Sequence, residues 1–243
     1  MAREADAVTS DLVPPFPGVR ALLFDFDHTL ADLGSHVRWS DARSESLAWY
    51  EERGVPRAAL GSGTVSLYAR VAASGALPAA ALEETLRGAA AIIERYEGEA
   101  IAATRLLPGV RESLRALEGS GLLAGVVSSN SREVVRAILE RTGAAERFAV
   151  FVGREDVRLP KPAPECLLLA CERLGIVPGE AVYAGDNVAD IEAANAAGLP
   201  ACGVRGGDSS EDALREVGAV AILDGIEPLV TAVLQYARRE AVA

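Results

Sequence analysis

Two aspartates spaced by two close the first strongly apolar run of the chain, Leu23-Phe24-Asp25-Phe26-Asp27-His28-Thr29-Leu30. In an extended chain such residues project to the same side. Carboxylates at the end of a buried strand are costly unless a cation compensates them. A divalent metal would do so, and hard oxygen donors suit Mg²⁺; without one, the pair would be turn formers or helix caps. A second acidic pair follows a later run, Tyr183-Ala184-Gly185-Asp186-Asn187-Val188-Ala189-Asp190, with Asp190 one helical turn after Asp186. Adjacent parallel strands would bring Asp186 within metal-sharing distance of Asp25, although taken alone the motif reads equally as a cap and a surface acid. A third run ends Val126-Val127-Ser128-Ser129-Asn130-Ser131. A hydroxyl at a strand tip with free N–H groups at a helix start makes an anion cradle, and an ordinary Ser/Asn cap gives the same pattern.

The cations add a fourth feature. Of the 24 Lys and Arg residues, Lys161 is the sole lysine. It lies in Arg158-Leu159-Pro160-Lys161-Pro162-Ala163-Pro164, where flanking prolines restrict the backbone and aim the side chain. A compact ammonium fits between carboxylates where a planar guanidinium is too large.

The elements that must position these residues alternate. Apolar runs at Ala21–Phe26, Leu122–Val127, Phe148–Val152, Ala181–Ala184, Ala201–Val204 and Ala219–Leu223 lack polar alternation, as strands buried on both faces of a parallel sheet do. Helical patterns at Val110–Glu118, Arg132–Arg141, Pro164–Leu174 and Val188–Ala197 fall between them. The class is α/β, a doubly wound, Rossmann-like parallel sheet. Roughly ninety residues after the first run carry no strand pattern; helices are expected there near Trp39–Arg53, Thr64–Ala73 and Ala79–Thr104. An insert after the first strand would sit over the C-terminal sheet edge, where α/β ligands bind. The expected division is an N-terminal extension (1–18), a catalytic core (19–31 and 106–243) and a helical cap (32–105). The cap carries 10 acids and 8 bases, against 25 and 16 elsewhere, so the acidity lies mainly on the sheet domain.

In order, Asp25-Phe26-Asp27-His28-Thr29, Ser128, Lys161 and Gly185-Asp186-Asn187-Val188-Ala189-Asp190 resemble the four motifs of the haloacid dehalogenase superfamily of phosphohydrolases. The resemblance covers roughly residues 19–225. Leu107-Pro108-Gly109-Val110 looks like the segment that re-enters the core after a helical cap, and the cap position is similar to the phosphoglycolate phosphatase and β-phosphoglucomutase branch. The resemblance implies that Asp25 is the nucleophile and Asp27 the general acid and then base. It implies Mg²⁺ held by Asp25, the Asp27 backbone carbonyl and Asp186, with Asp190 and Thr29 in support. Ser128, Ser129 and Asn130 would bind phosphoryl oxygens, and Lys161 would neutralise charge between nucleophile and phosphoryl group. With that role, Lys161→Arg is expected to abolish most turnover and leave folding nearly unchanged. His28 stands where a glycine is usual and would touch the substrate or serve as a turn residue. On the cap, His36, Arg38, Trp39 and Arg43 follow the first motif closely, with Arg38 taken as a substrate contact. Trp39, Trp49, Tyr50 and Tyr68 fit helix packing.

The implied activity is Mg²⁺-dependent hydrolysis of a small phosphomonoester, phosphoglycolate-like or a sugar phosphate, through an aspartyl-phosphate. A phosphomutase is the alternative within the fold. A non-catalytic, receiver-like module is the alternative outside catalysis, against which the insert and Asp27 argue. A net charge of -11 argues against nucleic acid as partner. Three cysteines without CxxC spacing suit a reducing, cytoplasmic setting. The start MAREADAVTSDLVPPFPG has no apolar segment of a secretory signal, and no stretch approaches the roughly 20 apolar residues of a membrane span. The expected partner is a small phosphorylated metabolite, bound by a monomer or homodimer.

Overall fold

The computed structural model describes residues 13, 16–61 and 64–240; the expected extension 1–18 lies largely outside the described residues. Strand β1 (Ala21–Phe24) is fully buried, as expected of a central parallel strand covered on both faces. Leu22 and Phe24 face one apolar layer, Ala21 and Leu23 the other, because alternate side chains leave a strand on opposite faces. With β2 (Leu123–Val127), β3 (Val150–Val152), β4 (Ala181–Gly185), β5 (Ala201–Val204) and β6 (Ala221–Leu223) it forms one six-stranded parallel sheet, ordered β3-β2-β1-β4-β5-β6. The chain steps outward from β1 to β3, then returns to the other side of β1. That reversal opens a crevice at the C-terminal strand ends, where α/β sheets bind ligands.

Among the described residues, three helices lie between β1 and Leu107-Pro108-Gly109: α1 (Trp39–Glu52), α2 (Thr64–Ala73) and α3 (Ala79–Ala100). Tyr50, Val55, Leu67, Val71, Leu86 and Ala89 form a small core of their own among them. The remaining helices are α4 (Val110–Ala116), α5 (Arg132–Arg141), α6 (Glu165–Leu174), α7 (Val188–Ala197), α8 (Glu211–Glu216) and α9 (Glu227–Glu240). Helices α5 and α9 cover the Leu22/Phe24 face through Val134, Ile138, Leu229 and Val233. Helices α6, α7 and α8 cover the other through Leu167, Ile191 and Leu214. No helix of the described residues is long and apolar enough to cross a membrane.

Element ends differ from the sequence expectations for local reasons. β1 stops at Phe24, because the Phe26 carbonyl accepts from the N–H groups of Leu30 and Ala31 and closes a turn. β3 starts two residues late, after a 3-10 turn at Ala145–Arg147. β6 starts at Ala221, because the Ala219 N–H still bonds to the α8 carbonyl of Leu214. Helix α3 ends at Ala100, and Thr104 folds back with its N–H and Oγ1 on the Ala100 carbonyl. Helix α9 carries Arg238 and Arg239 in its last turn, where cations complement the helix dipole.

Candidate active site

The register brings the chemical residues together. Phe24 pairs with Val126 of β2 and Ala184 of β4, so Asp25, Ser128 and Asp186 leave three neighbouring strand tips. The Asp25 N–H still donates to the Ala184 carbonyl at 2.8 Å. A cleft of about 530 Å³ opens above them, within the range of small-molecule sites. Its lining includes Asp25, Asp27, His28, Ser128, Ser129, Asn130, Lys161, Asp186 and Asp190. Trp39, Ser40 and Arg43 of α1 face the same space.

At the floor, the Lys161 ammonium is almost completely enclosed. It donates to Asp25 Oδ1 at 2.6 Å, Asp190 Oδ1 at 2.5 Å and the Tyr183 hydroxyl at 2.9 Å. Tyr183, buried on β4, also meets Asp190 Oδ1 and the Val127 carbonyl. Burial works against the ammonium, but Asp190 and Asp25 outweigh it, and its pKa rises. For Asp25 burial prevails over the attraction of Lys161, and the carboxyl pKa lies well above its usual value. Asp190 is fixed by its own helix: Asn187 caps α7, its side chain accepting from the Ala189 N–H, and Asp190 Oδ2 accepts from the Asn187 N–H at 3.0 Å. This is the reciprocal capping arrangement of a helix start. One oxygen of Asp190 therefore caps α7 while the other holds Lys161.

The carboxylates of Asp25, Asp186 and Asp190 each offer an oxygen within 4.8 Å of one another. Three buried acids against one ammonium leave negative charge uncompensated, which a divalent cation would balance. Burial, followed by the charge of Asp190, pushes the Asp186 pKa up to about 7. Both oxygens of Asp190 have partners, whereas Asp25 Oδ2 and Asp186 Oδ1 have no hydrogen bond among the described residues. The free donors thus lie on Asp25 and Asp186, as an oxygen-ligated ion requires. Asp186 Oδ2 accepts from the Asp208 N–H at 2.8 Å. Gly207 makes that approach possible, since a Cβ there would lie 2.0 Å from Asp186 Oδ2.

Asp27 stands apart from this carboxylate cluster. Its Oδ1 accepts from the N–H groups of Gly34 (2.8 Å) and His28 (3.1 Å). Burial raises its pKa despite the Gly34 N–H, which favours the charged form. His28 is the one non-glycine residue with positive φ (54°) among those described; a glycine takes that conformation freely. Its Nε2 lies 4.0 Å from Asp27 Oδ2. Thr29 is fully buried beneath this turn, its Oγ1 without a partner, and does not line the cleft.

Arg38 is corrected: its guanidinium is turned to the surface by Asp41 (2.5 Å) and Glu99 (2.7 Å), and it does not line the cleft. The α1 residues that do are Trp39 and Ser40, with Arg43 one helical turn on. His36 is likewise drawn aside, 3.3 Å from Asp32. Trp49, Tyr50 and Tyr68 pack within the insert as expected, whereas Trp39 lines the cleft and donates to the Gly34 carbonyl. Tyr183, Gly34, Gly207 and Asp208 were not singled out from sequence. Their roles depend on contacts between strands and loops, which no local pattern encodes.

Phosphoglycolate phosphatase of Salmonella choleraesuis (strain SC-B67) is 38% identical over 151 residues, 62% of this chain and 60% of that protein. The chain thus spans about three fifths of the length of that curated relative. A haloacid dehalogenase-like protein from Bacteroides fragilis superposes with a TM-score of 0.65 at 27% identity, covering 87% of this chain and 99% of its own. CbbY from Rhodobacter sphaeroides, solved in complex with phosphate, superposes with a TM-score of 0.62 at 24% identity, over 87% and 96% of the two chains. Residues 19–198, which hold all four motifs, match the profile of the haloacid dehalogenase-like hydrolases. The chain belongs to that family.

Proposed function

We propose that the protein is a Mg²⁺-dependent phosphatase acting on a small phosphomonoester. The observation that carries the reading is the Lys161 ammonium bridging Asp25 and Asp190 at the floor of a cleft that Asp27 and the Ser128 loop also line. Asp25, held by Lys161, attacks phosphorus through one carboxylate oxygen while the P–O bond to the alcohol breaks. Lys161 balances the charge that gathers between nucleophile and phosphoryl oxygens. Asp27, whose raised pKa helps it keep a proton, gives that proton to the leaving alkoxide. It then takes one from the water that hydrolyses the aspartyl-phosphate. Asp25, Asp186 and the Asp27 carbonyl would hold Mg²⁺, which supplies charge neutralisation of the phosphoryl group. The Ser129 N–H and the Ser128 hydroxyl, on the loop that lines the cleft, receive phosphoryl oxygens.

The cleft volume suits a short substrate, and Arg43 on α1, whose guanidinium donates to the Gly61 carbonyl, lines the same space. With the phosphoglycolate phosphatase relatives, this favours phosphoglycolate-like compounds, then sugar phosphates. The proposed setting is a reducing cytoplasm, supported by three cysteines that are all buried and free. Phosphate release from 2-phosphoglycolate and an aryl phosphate, with and without Mg²⁺, tests the reading. Asp25→Asn is expected to lose turnover by on the order of 10⁴-fold with circular dichroism unchanged. Undiminished turnover in that variant overturns the assignment. Isomerised sugar phosphate in place of free phosphate would indicate a mutase.

A further inference from the structure

Glu97, near the end of α3, is completely buried where the insert meets the loop after β2. Each of its oxygens receives two donors. Oε1 accepts from Asn130 Nδ2 at 2.9 Å and from one Arg154 nitrogen at 3.2 Å. Oε2 accepts from the Ser131 N–H at 3.1 Å and from the other terminal Arg154 nitrogen at 3.1 Å. The bidentate guanidinium cancels the charge of a carboxylate that would otherwise repel an anion bound nearby. Arg154 extends the tie, donating from its side chain to the Ser129 carbonyl and from its backbone N–H to the Asn130 carbonyl. The carboxylate also sets the orientation of the Asn130 amide. With Nδ2 committed to Glu97, Oδ1 must face the other way, where it accepts from Ser128 Oγ at 2.9 Å. The Asn130 N–H returns to Ser128 Oγ at 3.2 Å.

We propose that Glu97 is a positioning residue for the loop Ser128–Ser131, fixing its shape through Asn130 and Arg154 and so tying the seat of the insert to anion binding in the core. The proposal rests on the reading of this loop as the phosphoryl cradle. Asn130, expected as a substrate contact, lines the cleft with its amide engaged by Ser128 and Glu97. A purely structural ion pair would govern stability and leave the anion affinity of the folded protein alone.

The test uses charge-neutral pairs, because removing one partner of a buried ion pair leaves the other uncompensated, whereas replacing both with apolar residues is often neutral. Inorganic phosphate is titrated calorimetrically, with Mg²⁺ present, into the full chain. Glu97→Leu with Arg154→Met, which removes every acceptor for Asn130 Nδ2 and Ser131, is expected to bind phosphate about tenfold more weakly. Glu97→Gln with Arg154→Met keeps one acceptor and should fall between, about threefold weaker. Melting temperatures identify which variants fold. Phosphate affinity equal to wild type in either folded variant overturns the proposal. Wild-type protein that neither binds phosphate nor hydrolyses phosphomonoesters overturns the reading of the loop, and this proposal with it.

Discussion

Lys161 concentrates the residue-scale chemistry. Its ammonium has two carboxylates, a phenol and a carbonyl within 3.3 Å, and its side chain is 5% exposed. A guanidinium extends further and needs a flat slot, which the enclosure by Tyr183 and Asp190 does not provide. Lys161→Arg is therefore expected to lower turnover by about 10²–10³-fold, read as phosphate release at saturating substrate. The burial also changes the expectation that folding would be nearly untouched: forcing the larger group into this space should cost about 1–3 kcal/mol, visible in urea unfolding. Turnover within a few-fold of wild type would show that a fixed cation, rather than a compact one, is sufficient.

At the scale of elements, strand tips and the turn 26–34 do the positioning. The Gly34 N–H holds Asp27, and a Cβ at Gly34 would stand 2.3 Å from Asp27 Oδ2. Gly34→Ala must displace that carboxylate. If Asp27 protonates the leaving group, the variant should lose about tenfold or more in kcat on an alkyl phosphate. It should lose much less on an aryl phosphate, whose phenolate leaves without a proton. Equal losses on both would remove Asp27 from that role. Much of this scale was legible in sequence, because strands covered on both faces must be apolar throughout and end at the residues that do chemistry. The six strands and the helices flanking the motifs follow from that rule. What stayed hidden has a physical reason. Helix α8 has six residues, too short for a periodicity, and Glu97 reads as one more acid on a charged helix until Arg154, 57 positions away, is folded against it. Arg38 and Arg43 sit on successive turns at the start of the insert, and only the competing acids Asp41 and Glu99 decide which one faces outward.

For the whole molecule, the uneven charge becomes a statement about metal and pH. Asp186 has its pKa raised from 3.8 to about 7, so between those values the folded, metal-free protein holds a proton that the unfolded chain has released. By linkage, this acid contributes stability that is present at low pH and falls as pH rises toward about 7. A divalent ion needs the deprotonated carboxylate, so its binding strengthens over the same interval. The gap in melting temperature between protein with Mg²⁺ and protein with chelator should widen from about pH 6 to about pH 8. A gap independent of pH would place the ion away from Asp186. The central claim concerns a covalent bond. Turnover with 2-phosphoglycolate and Mg²⁺, quenched with borohydride, would convert an aspartyl-phosphate to homoserine that peptide mapping can locate. The account predicts homoserine at position 25, absent in Asp25→Asn; active protein with position 25 unmodified, or modified at 27 instead, would contradict it.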